Sequence, residues 1–105
     1  MLVLPIKKKW FDMIACGEKK EEYRKIKRYW ITRFNNKGIL SKYNPHIIIF
    51  RNGYGKDRPS LKCKVNIRVG QGKEEWGAET GKEYYILEIV KVKNNDNWFF
   101  YRKRD

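Results

Sequence analysis

Apolar and polar positions along the chain switch between helical and strand spacing, and each switch marks an element. Leu2–Pro5 is a short apolar opening. Ile6, Trp10, Met13 and Ile14 then recur at helical spacing, and Gly17 follows as a C-terminal stop, which predicts a helix over Ile6–Cys16. The next stretch fits two periods. As a helix it lines up Tyr23, Ile26, Trp30 and Phe34; as a strand it puts Glu22 and Arg24 on one side and Tyr23 on the other. A short strand near Glu21–Lys25 and a helix over about Lys27–Asn36, closed by Gly38, accommodate both patterns. The second half reads as β-structure. His46–Phe50 is a dense β-branched run, and Asn52–Pro59 is a turn cluster. Leu61, Cys63, Val65, Ile67 and Val69 alternate with Lys62, Lys64, Asn66 and Arg68, the pattern of a long half-exposed strand with a basic outer face. Gly70-Gln71-Gly72 ends that strand, and Tyr84–Val92 and Trp98–Tyr101 are further strands.

Two N-terminal helices followed by antiparallel strands predict an α+β domain, with the sheet curled into a small barrel and the helices packed against it. At 105 residues the chain has room for one domain, residues 1–105. Four Trp, seven Tyr and five Phe supply a core that a disordered basic tail would lack.

Charge changes the picture of partners more than that of fold. Lys plus Arg outnumber Asp plus Glu by 25 to 12, a net charge of +13. Solubility alone asks for about 2 to 8 in a small domain, so the excess points to a polyanion, nucleic acid foremost. No apolar leader and no membrane span are expected. Cys16 and Cys63 are far apart and outside any C-x-x-C, and are expected as free thiols in the core of a cytoplasmic protein. His46 is the single histidine, so no usual zinc pattern can be written, and no metal or cofactor is expected. No Walker-type or dinucleotide-binding glycine motif occurs.

The segment Gly17-Glu18-Lys19-Lys20-Glu21-Glu22-Tyr23-Arg24 packs three cations and three carboxylates into eight residues. Two readings are open. One is a solvated stretch with local ion pairs, each worth about 0.2–0.5 kcal/mol. The other is a fixed cluster in which Lys19 and Arg24 present cations to a ligand and Glu22 holds them or moves a proton.

The same segment, through Gly17, Lys19, Glu22 and Arg24, matches G-x-K-x-x-E-x-R and resembles the signature of the ASCH domain family. Phe50–Lys56 and Gly72–Ala78 also look like stretches of small stand-alone ASCH proteins of bacteria and their phages. The resemblance implies a PUA-like β-barrel with a cleft beside it that takes RNA or a nucleoside-like molecule. Some small members are amidohydrolases on acylated cytidine, using a motif lysine, a nearby threonine and a later glutamate; others are linked to RNA cleavage. By position that lysine is Lys19, but Glu22 stands where the threonine would be, which counts against simple transfer of the activity.

The leading expectation is an RNA-binding domain and a monomer. Its contacts are Lys19, Lys20, Arg24, Arg51, Tyr54, Lys56 and Arg58, with a second contribution from the basic strand face at Lys62, Lys64 and Arg68. The alternative is a small hydrolase with Lys19, Glu22 and Arg24 as catalytic residues, joined by a later carboxylate such as Glu75 or Glu88. A third reading is an acidic protein partner.

Overall fold

The computed structural model describes residues 2–36 and 46–101. Six strands form one sheet in the order β1-β3-β4-β5-β2, with β6 paired to β5. The elements are β1 (Leu2–Ile6), α1 (Lys8–Ala15), β2 (Glu21–Lys25), α2 (Arg28–Asn36), β3 (His46–Asn52), β4 (Ser60–Gln71), a single 3₁₀ turn at Glu74–Trp76, β5 (Glu83–Asn94) and β6 (Asn97–Phe100). Gly38 lies outside the described residues.

Most of the predicted elements stand within a residue or two of their expected bounds, and the opening segment does not. Leu2–Ile6 is a strand that runs parallel to β3, with Leu4 opposite Phe50 and Ile6 opposite Asn52. Its two strictly buried positions, Leu4 and Ile6, are spaced for a strand. Helix α1 therefore starts only at Lys8.

The expected barrel is the second correction. The strand order has two ends, β1 and β2, and does not close on itself. Pro5 offers no N–H to a further strand, so β1 is suited to an edge. The two end strands still approach closely: Arg24 Nη2 on β2 donates to the carbonyl of Pro5 on β1 at 3.2 Å. A side chain spans the seam where a backbone ladder would have sealed it.

The main core joins Leu4 and Ile6, Phe11 and Ile14, Ile48 and Phe50, Cys63, Val65 and Ile67, and Tyr85, Leu87 and Ile89. Alternation along β4 puts Cys63, Val65 and Ile67 inside, as the pattern predicts. Phe34 carries α2 into this core, stacked on Trp30 at 5.5 Å and edge-on to Tyr85 at 4.9 Å. A smaller cluster of Tyr23, Trp76, Ala78, Tyr84 and Ile86 covers the other face of β5, which is thus buried on both sides over Tyr84–Leu87. Cys63 is in the core as expected, whereas Cys16 is exposed at the end of α1; both thiols are free.

Phe34 is fully buried, so Phe34→Ala should cost about 3–5 kcal/mol, read as a lowered denaturation midpoint at unchanged slope. Burial pushes the Cys63 thiol from 9.0 up to about 12. The unfolded chain releases this proton first, so the stability tied to it is intact below about pH 9 and is lost as pH rises toward 12. Cys63→Val should flatten that part of the alkaline loss in a pH series of denaturation curves.

Candidate functional site: a cleft in the sheet seam

The motif is built by a helix stop. Gly17 takes φ 87, a conformation open to glycine and costly to other residues. The Gly17 N–H then donates to Ile14 and the Glu18 N–H to Met13, the paired bonds of a Schellman termination. The chain turns back at once, and Lys19 enters the protein.

Lys19 is 1% exposed. Its ammonium donates to Glu22 Oε1 at 2.9 Å and to the Trp76 carbonyl at 2.8 Å, and lies 4.1 Å from the Trp10 ring centroid. Burial holds the Lys19 ammonium below its ordinary pKa, and the adjoining Glu22 carboxylate works in the opposite direction. Glu22 Oε1 also accepts the Tyr23 N–H at 3.2 Å, and Oε2 lies 3.7 Å from Arg24 Nη2. Lys19, Glu22 and Arg24 are thus held together as a fixed cluster, whereas Glu18 and Lys20 of the same segment are exposed.

Remote segments lock the cluster. The Trp76 carbonyl comes from the 3₁₀ turn, which ends at Gly77 with φ 102; a Cβ there would sit 3.0 Å from the Trp10 ring. The Tyr101 hydroxyl lies within hydrogen-bond distance of the carbonyls of Ile14 and Lys19, tying the residue after β6 to the motif. Tyr23 accepts the Lys73 N–H at 3.0 Å and donates to Glu21 at 2.7 Å. Gly72 is packed so closely on Tyr23 that a Cβ would come within 2.6 Å of the ring.

Above the pair opens a cleft of about 730 Å³ between β1, β2, the start of α2 and the 52–58 turn. Trp10, Trp30, Trp76, Tyr23, Tyr54 and Tyr84 line it, with Lys7, Lys8, Lys25, Lys27, Arg24 and Arg58 as its other cations. Glu22 and Glu79 are its lining carboxylates, and Glu22 is already paired. Arg24 stacks on Trp30 at 5.2 Å, and its Nε is buried without a hydrogen-bond partner.

The structure brings five of the expected site residues to this cleft: Lys19, Glu22, Arg24, Tyr54 and Arg58. Lys20, Arg51 and Lys56 do not line it, nor do Glu75 and Glu88. Tyr54 is 90% exposed at the tip of its turn, and Arg58 braces that turn by donating to the Asn52 carbonyl at 2.9 Å. The basic strand residues Lys62, Lys64 and Arg68 lie elsewhere, with Arg68 paired to Glu21 at 2.9 Å. Sequence reading missed Trp10 and Trp30 as cleft walls, because helical spacing marks a tryptophan as core without saying which cavity it borders; Trp76 lies outside any helical spacing and reads equally well as a partly buried core residue. A signal was present for Lys7 and Lys8. A first turn with lysines and no acidic residue is poor for a helix dipole, and both line the cleft.

Removing one partner of a buried pair strands the other, so Glu22→Ala should cost about 3–5 kcal/mol. The double variant Lys19→Met with Glu22→Leu should recover most of that stability in chemical denaturation. Recovery would establish that the pair adds little net stability over an apolar replacement. Compared with known proteins, the chain matches no family model, no curated protein and no solved structure, and the cleft is read from its own geometry.

Proposed function

We propose that this is an ASCH-like domain, an open relative of the PUA-like fold, that binds RNA by seating one nucleotide in the seam cleft. The observation that carries the reading is the lining of the cleft: six aromatic rings with cations around them, in a volume of about 730 Å³. Ligand sites for small molecules span about 300–1,000 Å³. An unstacked base offers a flat face to the rings, and its phosphates meet the cations. Lys7, Lys25 and Lys27 supply exposed point charges, as does Lys8, which also pairs with Asp12, while Arg24, held by Pro5 and Trp30, supplies a planar donor.

Binding is favoured over hydrolysis by how the motif is used. Lys19 donates to Glu22 and Trp76 and faces the Trp10 ring, while Glu22 Oε1 accepts from Lys19 and Tyr23 and Oε2 is ion-paired to Arg24. A catalytic lysine needs a free donor or lone pair at its ligand, and Lys19, 1% exposed, gives its ammonium to Glu22, Trp76 and the Trp10 ring. Lys19 and Glu22 then act as the floor that sets ring and guanidinium positions. The protein is proposed to act as a monomer in a reducing compartment.

The test is titration with nucleoside 5′-monophosphates and RNA dinucleotides, followed by indole fluorescence and calorimetry. Occupancy should perturb tryptophan emission. Trp30→Ala should weaken binding about tenfold, since a stacked base is worth about 1–3 kcal/mol, and Lys20→Ala should leave it unchanged. Equal affinity in wild type and Trp30→Ala would sink the cleft as the nucleotide site. Release of a base, an acyl group or a cleaved dinucleotide during the titration would replace binding with the hydrolase reading.

A further inference from the structure

The sheet carries a second cationic surface that the cleft does not use. On β4, Lys62 and Lys64 alternate with the buried Cys63. On β5, Lys91 and Lys93 flank Val92, which packs on the core. Lys64 stands directly opposite Lys91, and Cys63 opposite Val92, which brings Lys62 beside Lys93. On the neighbouring strand Phe100 faces Lys91 and Trp98 faces Lys93. Side chains directly opposite one another share a face of the sheet. Four lysines and two aromatic rings therefore lie on one face of three adjacent strands. None of the six lines the seam cleft.

Contacts within the patch are between cations and rings. The Lys64 ammonium lies 4.5 Å from the Trp98 ring centroid, and the Lys91 ammonium 4.6 Å from that of Phe100. Like charges directly opposite each other destabilise a strand pair. Among the described residues no carboxylate forms an ion pair with any of the four lysines. Further along the same β4 strand the fold does supply one, Glu21 to Arg68. The patch thus keeps its repulsion, and Phe100 remains 65% exposed within it.

We propose that this β4–β5–β6 face is a second binding surface, for single-stranded nucleic acid. Lys62, Lys64, Lys91 and Lys93 would take successive phosphates, while Trp98 and Phe100 stack bases. A duplex hides its base faces, and the carboxylates of an acidic peptide meet only the lysines; a single strand supplies regularly spaced phosphates together with planar bases for the half-buried Trp98 and exposed Phe100. The proposal stands apart from the cleft reading, since it uses none of the same residues.

The test is equilibrium binding of a twelve-nucleotide single-stranded oligouridylate across a salt series. Wild type, Lys64→Gln/Lys91→Gln and Phe100→Ala would be compared, each also titrated with uridine monophosphate. Each phosphate contact on a single strand contributes about 0.7 to the slope of log affinity against log salt. The double lysine variant should lower that slope by about 1.4, and Phe100→Ala should weaken the oligonucleotide about tenfold. Both should leave mononucleotide binding unchanged. An unaltered slope and affinity in the double variant would overturn the proposal, whatever the mononucleotide does. So would anionic phospholipid vesicles bound as tightly as the RNA and with the same losses, which would make the face a membrane surface. Wild-type protein that holds the oligonucleotide with these losses but takes no mononucleotide would uphold the face and count against the cleft alone.

Discussion

Lys19 and Glu22 meet at 2.9 Å with both side chains almost wholly out of solvent, and the surrounding architecture is arranged to make that tolerable. Taking two charges out of water costs several kcal/mol per ion, and mutual attraction returns it only where the remaining donors and acceptors are also satisfied. Here the Trp76 carbonyl, the Tyr23 N–H and the Trp10 ring complete the set. Such a pair adds little net stability over an apolar replacement. Its effect is positional: it demands that the end of α1, the start of β2 and the 3₁₀ turn converge on one point. Gly17 and Gly77, both at positive φ, are the backbone concessions that allow the convergence.

The convergence happens where the sheet stops. β1 and β2 are the two ends of the strand order, and Pro5 leaves β1 without a donor at the position that Arg24 reaches. The long strand β5 organises the far side of the seam. One edge pairs with β4 from Glu83 to Val92; the other serves β2 over its first half and β6 over its second. Where β2 and β6 meet along that edge, Tyr101 reaches back to the carbonyls of Ile14 and Lys19. The seam is held open and its floor held rigid by the same set of contacts.

A net charge of +13 is spread unevenly over this frame. Some cations are neutralised inside the fold, as Lys19 is by Glu22 and Arg68 by Glu21. Others gather around aromatic rings with few carboxylates near them, in the seam cleft and on the β4–β5–β6 face. That pairing of ring and cation recurs from Lys9 on Trp10 to Lys73 on Trp76 and Lys82 on Tyr84. Rings under ammonium groups keep charge near apolar surface, which is the chemistry a single-stranded polyanion with exposed bases would meet.

The alternation on β4, the dense run of β3 and the Gly17 stop were legible because each depends on neighbours two to four residues away. So was the motif itself, since Gly17, Lys19, Glu22 and Arg24 are close in the chain. Residue spacing could not say that Leu2–Ile6 is a strand, because its partner β3 begins forty-odd residues later and the pairing is parallel. Nor could it say that Cys16 faces solvent while Cys63 is buried. Local period and composition are enough for the α+β alternation, the basic character and the charged cluster after the first helix. The burial of the Lys19–Glu22 pair, the open sheet beside Pro5 and the single cleft walled by Trp10, Trp30 and Trp76 come from packing between distant segments. Those outcomes depend on which distant surfaces pack together, and no local spacing encodes that.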